Sequence, residues 1–281
     1  MSSDTDTLAD LRQNIDRIDE SLHDLLMERV NLVSQIASAK TPGTIALRPG
    51  REASILRRLA SRHQGPLPLP ALIRIWRELM GAVVGLQQPF SMAVFQPSRG
   101  TGYLELARNH FGVVSQQQLH PTVGLVVRAV ADRKATVGIL PMPREGDDEQ
   151  WWLSLSPSGS SELPRIIIRL PVLDEGGVGE NLQALVIAQH DHEPTGDDRT
   201  LVVVETAPDV SRDRLRNLLA AASLDLHGFM ALHRRDYGWH HLLEINGYVA
   251  KDDPRLAALT ATRDPVSHAK VIGGYPVPMV L

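Results

Sequence analysis

Residues 8–39 read LADLRQNIDRIDESLHDLLMERVNLVSQIASA. The apolar positions Leu11, Ile15, Ile18, Leu22, Leu25, Leu32 and Ile36 return in steps of three, four or seven, the spacing of one helix face, and neither Gly nor Pro interrupts them. The pattern predicts one helix from Leu8 to about Lys40. At ~1.5 Å per residue it spans roughly 50 Å, more than two shorter helices of the same chain can cover. A second copy of the chain is the expected cover. That gives an intertwined helical homodimer, since a self-complementary partner is the commonest way to bury such a stripe.

Working outward, Thr41-Pro42-Gly43 breaks the first helix and Pro49 opens a second, running to about Arg62. Gln64-Gly65-Pro66 punctuates the chain, and Pro70 opens a third helix with the stripe Ile73, Trp76, Met80, Val83, Gln87, closed by Pro89. Residues 1–90 are thus expected to form an all-α unit. After Pro89 the period changes: a strand at Met92–Phe95, helices at Gly102–His110 and Pro121–Lys134, and a strand at Thr136–Pro141 predict a β-α-β-α-β alternation. Ser154–Glu162 reads as a loop, Arg165–Leu170 and Leu185–Ala188 as strands, and the stretch ending at Asp198 as a turn-rich linker, so residues 91–198 form an α/β region. Residues 199–281 give a strand at Leu201–Val204, a helix at Arg212–Ala222, strands around Asp225–His233 and His240–Tyr248, a helix at Pro254–Ala261 and a strand at Ala269–Ile272. This βαββαβ order suits a small ferredoxin-like module.

Charge points to the chemistry. Between Arg29 and Arg77 lie nine basic side chains, those two included with Lys40, Arg48, Arg51, Arg57, Arg58, Arg62 and Arg74, against one acid, Glu52. A cation turned toward a core is costly unless an anion meets it, so this asymmetry predicts a pocket for a small polyanion. Arg29 and Lys40 are eleven residues apart, about three turns, and both fall within the apolar stripe of the first helix. Arg12 lies about 100° from that line and is expected to reach into a partner chain's pocket. Arg51 and Glu52 occupy the first turns of the second helix, and Gln87 a stripe position of the third, where a buried amide needs a hydrogen bond. The remaining cations Arg57, Arg58, Arg62, Arg74 and Arg77 read as ordinary solvated helix surface.

These residues carry a resemblance. Leu11-Arg12, Ile18-Asp19, Leu25-Leu26-x-Glu28-Arg29, Ala39-Lys40, Arg48-Pro49-x-Arg51-Glu52 and Gln87 resemble the all-helical, type II chorismate mutases across residues 8–88. The resemblance implies pericyclic conversion of chorismate to prephenate with no covalent intermediate, metal or cofactor, so that catalysis is positioning and electrostatics. It implies that Arg12 of the partner chain, Arg29 and Arg51 hold the substrate carboxylates. Lys40 and Gln87 donate to the ether oxygen, and Glu52 accepts from the ring hydroxyl. The chain departs from the common pattern at Arg48, where many relatives carry an acid, and at Val83, where many carry a hydroxyl.

Further along, Ala93-Val94-Phe95, Gly100-Thr101-Gly102-Tyr103 and Gly138-Ile139-Leu140-Pro141 are similar to the opening lobe of prephenate dehydratases, and the C-terminal module ending Ala269–Pro276 resembles a regulatory ACT domain. The middle region is about one lobe short. Pro143-Arg144 stands where the family has Asn-Ser, and Leu182-Gln183-Ala184 where it has Thr-Arg-Phe. Ala207-Pro208-Asp209-Val210 and Met230-Ala231-Leu232-His233 replace the elements that bind phenylalanine in relatives, which leaves an aromatic amino-acid effector open. The resemblance therefore implies a mutase with a degenerate dehydratase-like and ACT-like extension. A bifunctional mutase/dehydratase and a non-catalytic carboxylate-binding regulator are the competing readings.

The whole chain, 281 residues at formal charge −4, has no nucleic-acid or membrane signature. Its N-terminus lacks a basic segment followed by an apolar one, and it has no cysteine, so a cytoplasmic location is expected. His190-Asp191-His192 could ligate metal but lacks further spaced ligands and reads as surface loop, and His240-His241 as residues flanking a strand. Gly176-Gly177-Val178-Gly179 reads as a turn rather than a phosphate cradle.

Overall fold

The computed structural model describes residues 7–39, 46–157, 163–174, 182–235, 238–261 and 265–280. Lys40, most of the Ser154–Glu162 loop and the Gly176–Gly179 turn lie outside the described residues. Helix α1 spans Leu8–Ala39. Thr7 starts it: the Thr7 backbone N–H donates to Asp10 Oδ2 at 3.0 Å and the Asp10 N–H to Thr7 Oγ1 at 3.2 Å, a reciprocal cap that also lowers the Asp10 carboxyl pKa. No residue of α1 is buried, and Leu11, Ile15, Ile18, Leu22, Leu25, Leu32 and Ile36 are all exposed. Helices α2 (Pro49–Arg62) and α3 (Leu69–Gln87) each carry a proline in their first two positions, Pro49 and Pro70, and Leu56, Ile73 and Met80 form a small core with Leu173.

The chain then alternates. Strand β1 (Ser91–Phe95), helix α4 (Gly102–Phe111), β2 (Gln116–His120), helix α5 (Val123–Ala131) and β3 (Val137–Pro141) follow, with β1 parallel to both β2 and β3. A 3-10 turn at Trp151–Leu155 occupies the start of the expected loop. Next come β4 (Arg165–Leu170), β5 (Leu173–Asp174) and β6 (Ala184–Ala188). The last portion is β7 (Asp198–Thr206), α6 (Arg212–Ala221), β8 (Leu226–Arg235), β9 (Gly238–Asn246), α7 (Pro254–Thr260), β10 (Val266–Pro276) and β11 (Met279–Val280). The βαββαβ order is present in this portion, its strands lying in the spatial order β10-β7-β9-β8.

One sheet of nine strands, β2-β1-β3-β6-β4-β10-β7-β9-β8, runs through both the α/β region and the βαββαβ portion. Alternation along the strands builds its two faces. Ala93 joins α5 and the paired Trp151 and Trp152 on one side, while Met92 and Val94 join Ala107 and Phe111 of α4 on the other. In β7, Leu201 and Val203 belong to the first of these cores, and Val202 and Val204 to a separate core under α6 and α7. A short second sheet pairs β5 with β11. Among the described residues no helix is long and apolar enough to cross a membrane.

The two halves of the large sheet meet through a single parallel pair, Ile166 with Gly273. Gly273 has φ +137, and a Cβ there would sit 2.1 Å from the Ile166 carbonyl oxygen. Only glycine permits that approach. Gly273→Ala is therefore expected to destabilise the fold by about 2 kcal/mol or more, measured as a lower midpoint in urea unfolding, through strained backbone and a parted seam.

Candidate active site

Glu52 lies in the first turn of α2, where the positive end of the helix favours a carboxylate, and is 8% exposed. Arg77 of α3 meets it there. Arg77 is 3% exposed; its Nη1 donates to Glu52 Oε2 at 2.6 Å and its Nε to the His110 carbonyl at 2.8 Å. The guanidinium thus joins α2, α3 and the last turn of α4. Gly81 allows α3 to lie this close to α4, since a Cβ at that position would fall 2.1 Å from the Phe111 carbonyl oxygen.

Arg77 corrects the surface reading given to it. It follows Ile73 by four residues and precedes Met80 by three, so the buried face of α3 runs Ile73, Arg77, Met80, Val84, slightly rotated from the expected stripe. The signal was available in that phase and in the isolation of Glu52, a lone acid that needs a partner when buried. Arg57 also leaves the solvated class: it donates to Thr195 Oγ1, the Asp197 carbonyl and the Val277 carbonyl at 3.0, 2.8 and 3.1 Å, tying α2 to the segments that flank β7 and β10.

Of the expected site residues, Arg29 is half-buried on α1. Its Nη1 is enclosed without a hydrogen-bond partner among the described residues, and burial lowers its pKa against the opposing pull of Glu52. An enclosed guanidinium nitrogen with no acceptor is suited to an anion. Arg12 and Arg51 are exposed. Gln87 is half-buried and donates from Nε2 to the Val83 carbonyl at 3.3 Å, a long and readily exchanged bond. A cavity at Glu52 is bounded by Leu56, Arg57, Arg77, His110, Val172 and Met279, among others, and does not include Arg12, Arg29, Arg51 or Gln87. Within one chain the expected convergence is therefore incomplete, because α1 turns its stripe outward and gives these groups no facing wall.

His110 completes the surroundings. Its ring is buried against Phe111, neither ring nitrogen has a partner among the described residues, and burial, then the nearby Arg77, pulls its pKa well below the ordinary value. Elsewhere, His192 is buried beside Tyr248 rather than in a surface loop, with its imidazole lowered by burial to about 4. His240 and His241 lie inside β9 rather than flanking it, and both are buried. The described residues contain no group of three or more His, Cys, Asp or Glu able to hold a metal ion.

Residues 11–88 match the family described as chorismate mutase type II, so the helical N-terminal part carries a domain of that class. The bifunctional chorismate mutase/prephenate dehydratase of Pseudomonas aeruginosa is 32% identical over 146 residues, which is 50% of this chain and 40% of that protein. The protein of the same description from Stutzerimonas stutzeri is 31% identical over the same shares. The chain thus spans about 40% of the length of these relatives. A solved prephenate dehydratase from Streptococcus mutans aligns with TM-score 0.49 and 17% identity, over 68% of this chain and 100% of that one.

The depressed His110 pKa sets a sign. Below pH ~6.5 the unfolded chain takes up a proton that the folded one excludes, so this part of the stability is present above that pH and lost as pH falls. His110→Phe removes the cost. Urea unfolding at about pH 7.5 and pH 5 is expected to show a smaller acid loss for the variant than for wild type. Equal losses would contradict the assignment.

Proposed function

We propose that the chain is a chorismate mutase, converting chorismate to prephenate in phenylalanine and tyrosine biosynthesis. The observation that carries this reading is the Arg29 guanidinium nitrogen, enclosed without an acceptor among the described residues and within the electrostatic reach of Glu52, in the segment that matches the type II mutases. A dicarboxylate with a breaking ether bond needs guanidinium forks for its carboxylates and donors for the ether oxygen. In this proposal Arg29 and Arg51 hold carboxylates with Arg12 of a second copy, Lys40 and Gln87 donate to the ether oxygen, and Glu52 accepts from the ring hydroxyl. The exposed stripe of α1 supports an intertwined homodimer that supplies the missing wall. We assign residues 1–90 to the mutase unit, 91–198 to a dehydratase-like region and 199–281 to an ACT-like module, and the enzyme to the cytoplasm.

A bifunctional reading has one observation in its favour: the match to the Pseudomonas relative extends over 146 residues, longer than the helical unit. Incubation with chorismate and, separately, with prephenate separates the readings. Prephenate formed without phenylpyruvate supports a mutase alone, phenylpyruvate supports the bifunctional enzyme, and inertness toward both supports a non-catalytic binding protein.

Gln87→Ala and Lys40→Ala are expected to lower kcat by ~10²-fold or more with little change in thermal midpoint, because each removes a donor to charge that grows in the transition state. Wild-type turnover in both would refute the role. An Arg12→Ala chain mixed with an Arg29→Ala chain is expected to regain activity, since a heterodimer restores one intact pocket. Verified heterodimers without recovery would exclude a shared site.

A further inference from the structure

The roles assigned above leave Arg77 unused, although it is among the most buried charged residues in the helical part. It touches the only acid between Arg29 and Arg77 and, with the same planar guanidinium, a carbonyl of the α/β region. Two donors in a rigid fork fix direction as well as charge, which an ammonium on a flexible stem does not. The pairing also answers an electrostatic difficulty: a bare buried carboxylate beside a dianionic substrate repels it, whereas a neutralised one does not.

We propose that Arg77 is the positioning residue of the mutase site: it holds Glu52 by Oε2, leaves Oε1 to accept from the substrate's ring hydroxyl, and is itself aimed by the His110 carbonyl of α4. The inference rests on the mutase reading and extends it, because a group of the helical site takes its orientation from the α/β region that follows it. Met80 packs against the same fork, its sulfur 3.7 Å from Nη1. The proposal gives Arg77 no contact with a reacting atom, so its effect is expected to pass through Glu52.

The test is a double-mutant cycle in the full chain, with kcat and KM for chorismate measured alongside the thermal midpoint of each variant. Glu52→Gln and Arg77→Met are each expected to lower kcat/KM by about tenfold or more, the scale of one hydrogen bond to a charged group. Their combination is expected to be no worse than the poorer single variant, since residues acting as a unit are not additive. Arg77→Lys is expected to recover part of kcat, and to cost nothing in a Glu52→Gln background. If Arg77→Met melts below the assay temperature, the Arg77→Lys cycle decides by the same rule. A purely structural Arg77 predicts a lower midpoint with unchanged kcat and KM, or losses that multiply in the double variant, and either result overturns the inference. An active wild type with those results leaves the mutase reading standing, whereas a wild type inert toward chorismate overturns both.

Discussion

Thirty-two residues of α1 with no buried side chain impose the constraint on which the rest of this molecule depends. Full burial of a Leu or Ile side chain contributes roughly 1.5–3 kcal/mol, and α1 leaves seven such side chains of one stripe substantially in water. Continuous apolar surface of that kind marks an interface. The same helix carries Arg12 and Arg29, so whatever covers the stripe also determines the surroundings of both cations. In the proposed dimer, burial of the stripe and closure of the anion pocket are one event, and the enclosed Nη1 of Arg29 is the part of that pocket already formed within one chain.

The other fixed point is the ion pair at the base of the helical unit. Glu52 and Arg77 are both buried, and separating a buried pair leaves an uncompensated charge that typically costs 3–5 kcal/mol. This pair joins α2 to α3, and through the His110 carbonyl to α4, while the Arg57 contacts to Asp197 and Val277 tie α2 to the segments flanking β7 and β10. Arg48 adds a third tie through Glu193, Nε to Oε1 at 2.6 Å, although both side chains remain partly exposed and that contact contributes less. Of the cations that the composition concentrates in one segment, Arg48, Arg57 and Arg77 thus fasten the helical unit to the region after it.

What the sequence disclosed follows the strength of its periodic signals. The stripe of α1 was legible because seven apolar positions keep phase without a breaker, and the same regularity showed that the stripe exceeds its intrachain cover. The middle strand of the expected β-α-β-α-β alternation had no residues assigned to it: Gln116-Gln117-Gln118-Leu119-His120 is polar because it is a sheet edge, held in place by backbone pairing with β1. The continuity of the nine-stranded sheet rests on one residue pair at Gly273, and no local pattern announces a contact made through the absence of a side chain. Arg77 was misjudged because charged residues are usually solvated, and only its phase with Ile73 and Met80 spoke against that prior. His192 and His241 were hidden for a related reason, since histidine is as often surface as core and its burial is set by neighbours distant in sequence.

Equilibrium sedimentation of the full chain at neutral pH, across a wide concentration range, tests the central claim most directly. The account predicts a species of twice the chain mass, reverting to a single chain when Ile18 and Leu22 are both changed to Asp. A wild-type chain that stays monomeric at high concentration would contradict it, because the stripe of α1 and the open side of the anion pocket would then have no cover.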